Sequence, residues 1–351
     1  MLIFSIFSII GILDAITGDH FGLGAEFEKG IKLVGALTLS MLGMICLVPL
    51  IKAFIAPAIV PLSEFLHIDP SVFSAMLIAN DMGGAALSRE LATDEAIGLF
   101  NATVVSSMMG VTISFTLPTV LKTTPESSHR YVILGLLSGV ATIPVGCFVS
   151  GLMLKVPPLA LIIDLIPLLI FSALIILGLI KAPKISVKIV SAFGKFLFAL
   201  IMLGLGLGIL QAMTGYTPIK GLAPASESYE MLFKLAFMLS GVFPLISILS
   251  RLLKKPLGAL SKKTGLDETS SLGLLTTLAS SIPTFGLVEK MSPRGIVINM
   301  AFAVSAAFAL GDHLAFTAMF APSYAPAVVV GKIVSGISAI VVAYFVSKKA
   351  N

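Results

Sequence analysis

The sequence predicts an all-α polytopic membrane protein: about nine transmembrane helices plus two re-entrant or broken segments, in two inverted-topology repeats joined by one linking helix. Three observations carry this expectation. Of the 351 residues, 57% are hydrophobic and 12% charged, about half the charged share of a soluble domain. The charges are clustered and leave uncharged windows of 16 to 26 residues, and roughly 20 apolar residues suffice for a helix to cross a bilayer. Two further apolar stretches carry polar, Gly- or Pro-bearing breaks at their centres, and free backbone at membrane depth must line a cavity or be wrapped by protein. The composition excludes a disordered chain and an ordinary soluble enzyme.

The N-terminal run, M-L-I-F-S-I-F-S-I-I-G-I-L-D, lacks the basic start of a cleavable signal and reads as a short first span. Between Lys32 and Lys52 lie 19 uncharged residues, about 28 Å of helix at ~1.5 Å per residue. The next windows are 96–121, 131–154, 159–180 (interrupted by Asp164), 196–219, 235–250, 295–311 and 325–347, the last containing Lys332. The broken stretches, 70–92 and 268–289, hold I-A-N-D-M-G-G and L-A-S-S-I-P-T-F-G. The glycine row Gly204, Gly206 and Gly208 sits in an apolar span, where it permits close helix packing rather than nucleotide binding.

The halves resemble one another. Leu62–Ser71 matches Leu260–Thr269, and at the same spacing of 198 Asn101 matches Asn299 and Ser107 matches Ser305. The chain is therefore read as a single transmembrane domain over 1–351, with repeat one at about 1–154, a linking helix at about 159–181 and repeat two at about 189–351. With both broken segments re-entrant, each half has four crossings, and the single linking span inverts the second half. The 251–263 segment carries Arg251, Lys254, Lys255, Lys262 and Lys263 with no acid, and is expected inside, as are 181–195 and the tail at Lys348 and Lys349. The 52–69 segment is expected outside. The 14–32 segment, with four acids and two lysines, runs against this pattern. The net charge of +5 reflects inner loops rather than nucleic-acid binding. Cys46 and Cys147 lie in apolar windows, with no metal-site spacing and no expected disulfide.

Ionisable groups inside a span are expensive and mark a partner or a pathway. Asp81, beside Asn80 and before Gly83 and Gly84, would bind a small cation or cap the half-helix that follows. Arg89 and Glu90 stand at the mouth of the same break. Asp312 and His313 end the 295–311 window, where they would hold an ammonium, relay a proton or form an interfacial pair. No three ligands converge for a metal, and no nucleophile elbow accompanies the pair. Asn101, Asn299, Ser107 and Ser305 either line the pathway or glue helices together. Ser280, Ser281 and Thr284 surround Pro283, which frees a carbonyl, so the second break can receive an alcohol or a sodium ion.

Three runs are recognisable: Asn80 to Ala92 (N-D-M-G-G-A-A-L-S-R-E-L-A), Ile282 to Met291 (I-P-T-F-G-L-V-E-K-M), and Arg294 to Phe316, which contains A-F-A-V-S-A-A-F-A-L-G-D-H. They closely resemble the EutH family of ethanolamine permeases. The resemblance implies a multi-pass protein of the bacterial inner membrane that moves ethanolamine into the cell. Such a substrate, a small cation with one hydroxyl, calls for carboxylates (Asp81, Asp312), hydroxyl partners around Pro283 and an aromatic face, for which Phe285 and Phe316 are candidates. No cofactor or metal is expected, and coupling to Na+ or H+ is left open. The expected partners are the substrate and the lipid bilayer, with a homo-oligomer left open and no nucleic acid. The alternatives are a coupled carrier of another cationic or zwitterionic solute and a channel-like facilitator.

Overall fold

The computed structural model describes residues 2–264 and 266–348, apart from the side chains at 227 and 253–264. The described residues contain no strand. Helix α1 (Leu2–Thr17) is followed by α2 (Leu23–Leu66), whose 44 residues extend about 66 Å, twice the ~30 Å hydrocarbon core. The 52–69 segment expected as an outer loop is thus largely helix. It accommodates Pro57 and Pro61 and stops at His67, which turns left-handed at φ 56°. The acid-rich 14–32 segment also has a local explanation. Asp14 accepts hydrogen bonds from the backbone nitrogens of Phe21 (3.1 Å) and Leu23 (2.8 Å), and Asp19 from that of Gly24 (2.8 Å). These acids satisfy the free N–H groups that open α2, so their position follows the helix terminus rather than the side of the membrane.

Seven helical stretches are long and apolar enough to cross a membrane: Leu23–Leu66, Glu95–Thr123, Glu126–Met153, Pro158–Lys181, Pro183–Thr214, Ser228–Leu252 and Pro322–Lys348. Together with α1 and one interrupted helix, they occupy the nine windows read from sequence. The protein is a multi-pass, all-α membrane protein. The Lys254, Lys255, Lys262 and Lys263 side chains, and Lys349, lie outside the described residues.

The first break forms a hairpin of α3 (Ser71–Leu77) and α4 (Gly84–Leu91), joined through a 3₁₀ turn at Asn80–Met82. Helix α5 (Glu95–Phe100) runs on as π-helix through Asn101–Gly110 and Thr112–Thr116 into α6 (Leu117–Thr123). Next come α7 (His129–Val140), α8 (Ile143–Met153), α9 (Pro158–Lys181), α10 (Pro183–Thr214) and α11 (Ser226–Thr264). The second break pairs α12 (Glu268–Ala279) with α13 (Ser281–Gly286). The longest of these four hairpin helices, α12, covers only about 18 Å, and within each hairpin the two helices pack on each other. The 295–311 window is not one helix: α14 (Pro293–Ala306) ends early, 307–311 is unwound, and Asp312 opens α15 (Asp312–Phe320). Helix α16 (Ala325–Lys348) completes the fold. In the glycine row, Gly204 stacks directly on the Gly43 carbonyl of α2, while Gly206 faces open space.

The two hairpins are pinned alike. Asp69 accepts from the backbone nitrogens of Ser71 (2.9 Å), Thr93 (2.9 Å) and Asp94 (2.9 Å). Asp267, 198 positions later, accepts from the nitrogens of Ser270 (2.7 Å) and Ser292 (3.0 Å) and from both hydroxyls. Partial burial opposes ionisation of Asp267, but these serine donors outweigh it and hold the carboxyl down at about 2. Its contribution is therefore complete above the ordinary carboxylate range and is lost as pH falls toward 2. Asp267→Ala should destabilise the second hairpin by about 1–3 kcal/mol. Faster hydrogen exchange confined to 267–292 would show it, and unchanged exchange would refute the pinning role.

Candidate functional site

Each hairpin tip is held open by the long helix that follows it. At the first, Ser106 donates to the Ile78 carbonyl (2.5 Å), and Ser114 accepts from the Ala79 nitrogen (3.1 Å). Both serines lie on the π-helical stretch, a winding that is frequent at functional sites. Gly83, at φ 92°, completes the turn where a Cβ would strike Met44, and α4 starts after it. At the second tip, the Thr277 and Leu278 carbonyls accept from the nitrogens of Phe308 (3.1 Å) and Leu310 (2.9 Å). Phe308 is thereby fixed at φ 61°, which places it off the helix and interrupts α14–α15.

These constraints bring the two breaks together. The Nε2 of His313 lies 3.7 Å from Asp81 Oδ1, and that oxygen is buried and accepts no hydrogen bond. The Nδ1 of His313 lies 3.3 Å from the ammonium of Lys332, which is wholly buried and donates to the Ser107 carbonyl at 2.5 Å. With Lys332 as an ammonium, which can only donate, Nδ1 accepts, and the imidazole proton is then assigned to Nε2, facing Asp81. Asp312 accepts from the His313 nitrogen at 2.9 Å and, with Asp81, faces Lys332. The Phe308 ring lies 5.0 Å from His313, and Phe115 lies 5.7 Å from Phe308. The centre thus combines two carboxylates, one resident cation, one imidazole and an aromatic wall.

Other residues singled out in the sequence fall around this centre. Asn80 is fully buried with neither amide atom hydrogen-bonded, and it shares a small cavity with Phe316, which stacks on Phe320 at 5.4 Å. Arg89 lies 5.8 Å over the Phe320 ring, and Glu90 pairs with Lys52 at 3.1 Å. Ser280 caps α13, and buried Ser281 has a free hydroxyl. The Ala279 carbonyl beside them abuts Gly311, just before Asp312. Thr284 is tied within its own hairpin, to Thr277 (2.8 Å) and the Gly273 carbonyl (2.9 Å). Phe285 packs in the main apolar core with Phe100, Val288 and Met291.

Asn101 and Asn299 occupy equivalent places. The first donates to the Ser71 hydroxyl (3.0 Å), and the second to the carbonyls of Ser270 (2.9 Å) and Gly295 (2.9 Å), so both stitch a hairpin to its long helix. The Ser305 hydroxyl bonds to that of Ser335 at 2.7 Å. Lys332 was passed over in the sequence as the lone charge of its window. That isolation is itself the signal, because an unneutralised lysine in a span must find a partner inside the protein.

Seven helices long and apolar enough to cross a membrane, with buried charges gathered among them, fit a multi-pass permease-type membrane protein rather than an enzyme. The chain matches the family described as "Ethanolamine utilisation protein, EutH" over residues 1–346, and it belongs to that family. It is 42% identical over 344 residues to "Probable ethanolamine permease EutH" of Listeria monocytogenes, covering 98% of this chain and 92% of the relative. It is 37% identical over 354 residues to the protein of the same name from Escherichia coli, covering 94% and 87%. A Bacillus subtilis relative described as "Uncharacterized protein YxeR" is 36% identical over 339 residues, covering 97% and 92%. No solved structure matches the chain.

Proposed function

We propose that this protein carries ethanolamine, as its ammonium ion, across the bacterial inner membrane, with the substrate bound between the Asn80–Met82 break and α15. The observation that carries this reading is Asp81 Oδ1, buried and without a hydrogen bond, 3.7 Å from His313 Nε2. A carboxylate oxygen left unsatisfied at such depth is costly unless a cationic donor visits it. Asp81 and Asp312 supply charge, and Asn80 and Ser281, whose polar atoms are also unpaired, supply partners for the hydroxyl. The printed names of the Listeria and Escherichia relatives support the substrate. Lys332 faces both carboxylates from within the fold. The test is uptake of labelled ethanolamine into proteoliposomes, with sodium or proton gradients imposed in turn. Saturable uptake inhibited by excess unlabelled ethanolamine is expected, and uptake no faster than in empty vesicles would reject the reading.

The matched pins at Asp69 and Asp267, 198 residues apart, support two repeats of about 1–154 and 189–351 around α9. Inverted repeats place their hairpin mouths on opposite sides of the membrane. Single cysteines placed in 58–66 should react with an impermeant thiol reagent added outside, and cysteines in 254–263 should be shielded. Equal labelling of both from one side would reject the inversion.

A further inference from the structure

Where the first hairpin meets α9, the surface opens into a cavity of about 360 Å³ lined by Asp69, Asp94, Asp164 and His67, with Ile97 and Ile163 as apolar wall. Two of its carboxylates serve the fold: Asp69 pins the hairpin, and Asp94 caps α5 by accepting from the Ile97 nitrogen at 2.8 Å. His67 is engaged with the Glu64 carbonyl at 2.9 Å. Asp164 differs. It is 2% exposed, one oxygen accepts a long bond, 3.3 Å, from the Asp69 nitrogen, and the Asn101 side chain is a neighbouring polar partner. The other oxygen, Oδ2, accepts none. The charges facing it are the acids Asp69 and Asp94, so no lysine or arginine balances it as Lys332 balances Asp81. Among the described residues no three His, Cys, Asp or Glu side chains converge to hold a metal ion. One open carboxylate oxygen beside isoleucine suits an ion with a charged head and a short carbon body better than a bare metal, which needs a full shell of oxygens.

We infer that this cavity is a second binding site, for a small primary alkylammonium ion, with Asp164 supplying the charge and Ile97 and Ile163 the apolar contact. It shares no lining residue with the Asp81 centre. If the transported substrate is protonated ethanolamine, as proposed above, that same ion occupies both sites.

The test is equilibrium binding of labelled ethanolamine to purified protein, with ethylammonium and sodium chloride as competitors. The variants are Asp81→Asn, Asp164→Asn and Ala160→Lys, the last carrying a tethered ammonium to the rim without altering Asp164. Asp81→Asn should retain about half the parent stoichiometry, and adding either Asp164→Asn or Ala160→Lys should remove that remainder. Ethylammonium should compete for it at least tenfold more effectively than sodium. One ethanolamine per parent chain, lost entirely in Asp81→Asn, overturns the second site and leaves the transport reading intact. So does a remainder that survives both cavity variants, or one that sodium displaces equally well. A parent that binds no ethanolamine rejects the transport reading. Ethylammonium binding abolished by Asp164→Asn would then still sustain the cavity site, and its persistence would overturn it.

Discussion

Asp81→Asn is expected to lower ethanolamine affinity by about 2–5 kcal/mol, roughly thirtyfold to several thousandfold, while leaving the protein's abundance near that of the parent. The neutral amide keeps the shape of the turn between Ala79 and Gly83 but removes the charge that faces His313 and Lys332. Oδ1 makes no hydrogen bond within the fold, so its replacement breaks none, and Asp312 remains as a counter-charge to Lys332. Binding and transport measured on the purified variant decide the matter. Parent-like affinity would reduce Asp81 to a capping residue and move the site elsewhere.

Lys332→Met should produce the opposite pattern. In the parent, Lys332 is buried between the Ser107 carbonyl and His313 and faces both carboxylates. Removing one partner of a buried charge cluster costs about 3–5 kcal/mol, because the remaining charges lose their counter-ion. An ammonium ligand restores what was lost. The variant should therefore be less stable than the parent when empty and gain more stability from saturating ethanolamine. Thermal unfolding with and without ligand measures both quantities. Equal stabilisation of parent and variant would show that lysine and substrate do not share the same carboxylates.

These residues also show how far the sequence could lead. Asp81, Asp312 and His313 were visible because charge is rare inside spans, and the fold does assemble them. Lys332 carries the same signal, a lone charge in an apolar window. The nine windows follow from hydropathy, which records transfer energy along the chain. The unwound 307–311 segment left no such trace, since Ala307 and Phe308 are ordinary helix residues. Its cause is remote: hydrogen bonds to the Thr277 and Leu278 carbonyls, a contact that no local pattern encodes. Asn101 and Asn299 share the spacing of 198 and each bonds a hairpin, but spacing does not distinguish a hairpin stitch from a ligand contact. Phe285 had sequence proximity to the second break and still faces the core.

Lys332 has an electrical consequence. It is covalently part of α16, so the centre sets two carboxylates against one tethered ammonium, and a cationic substrate would supply the balancing charge. Loaded and empty forms thus differ by one elementary charge as they reorient. A charge that crosses the full membrane potential gains about 2.3 kcal/mol per 100 mV, close to a fiftyfold bias. With the loaded centre neutral and the empty one net negative, a cell interior that is negative favours the outward return of the empty form. If the cargo is an organic cation, as proposed above, the potential would favour its accumulation inside.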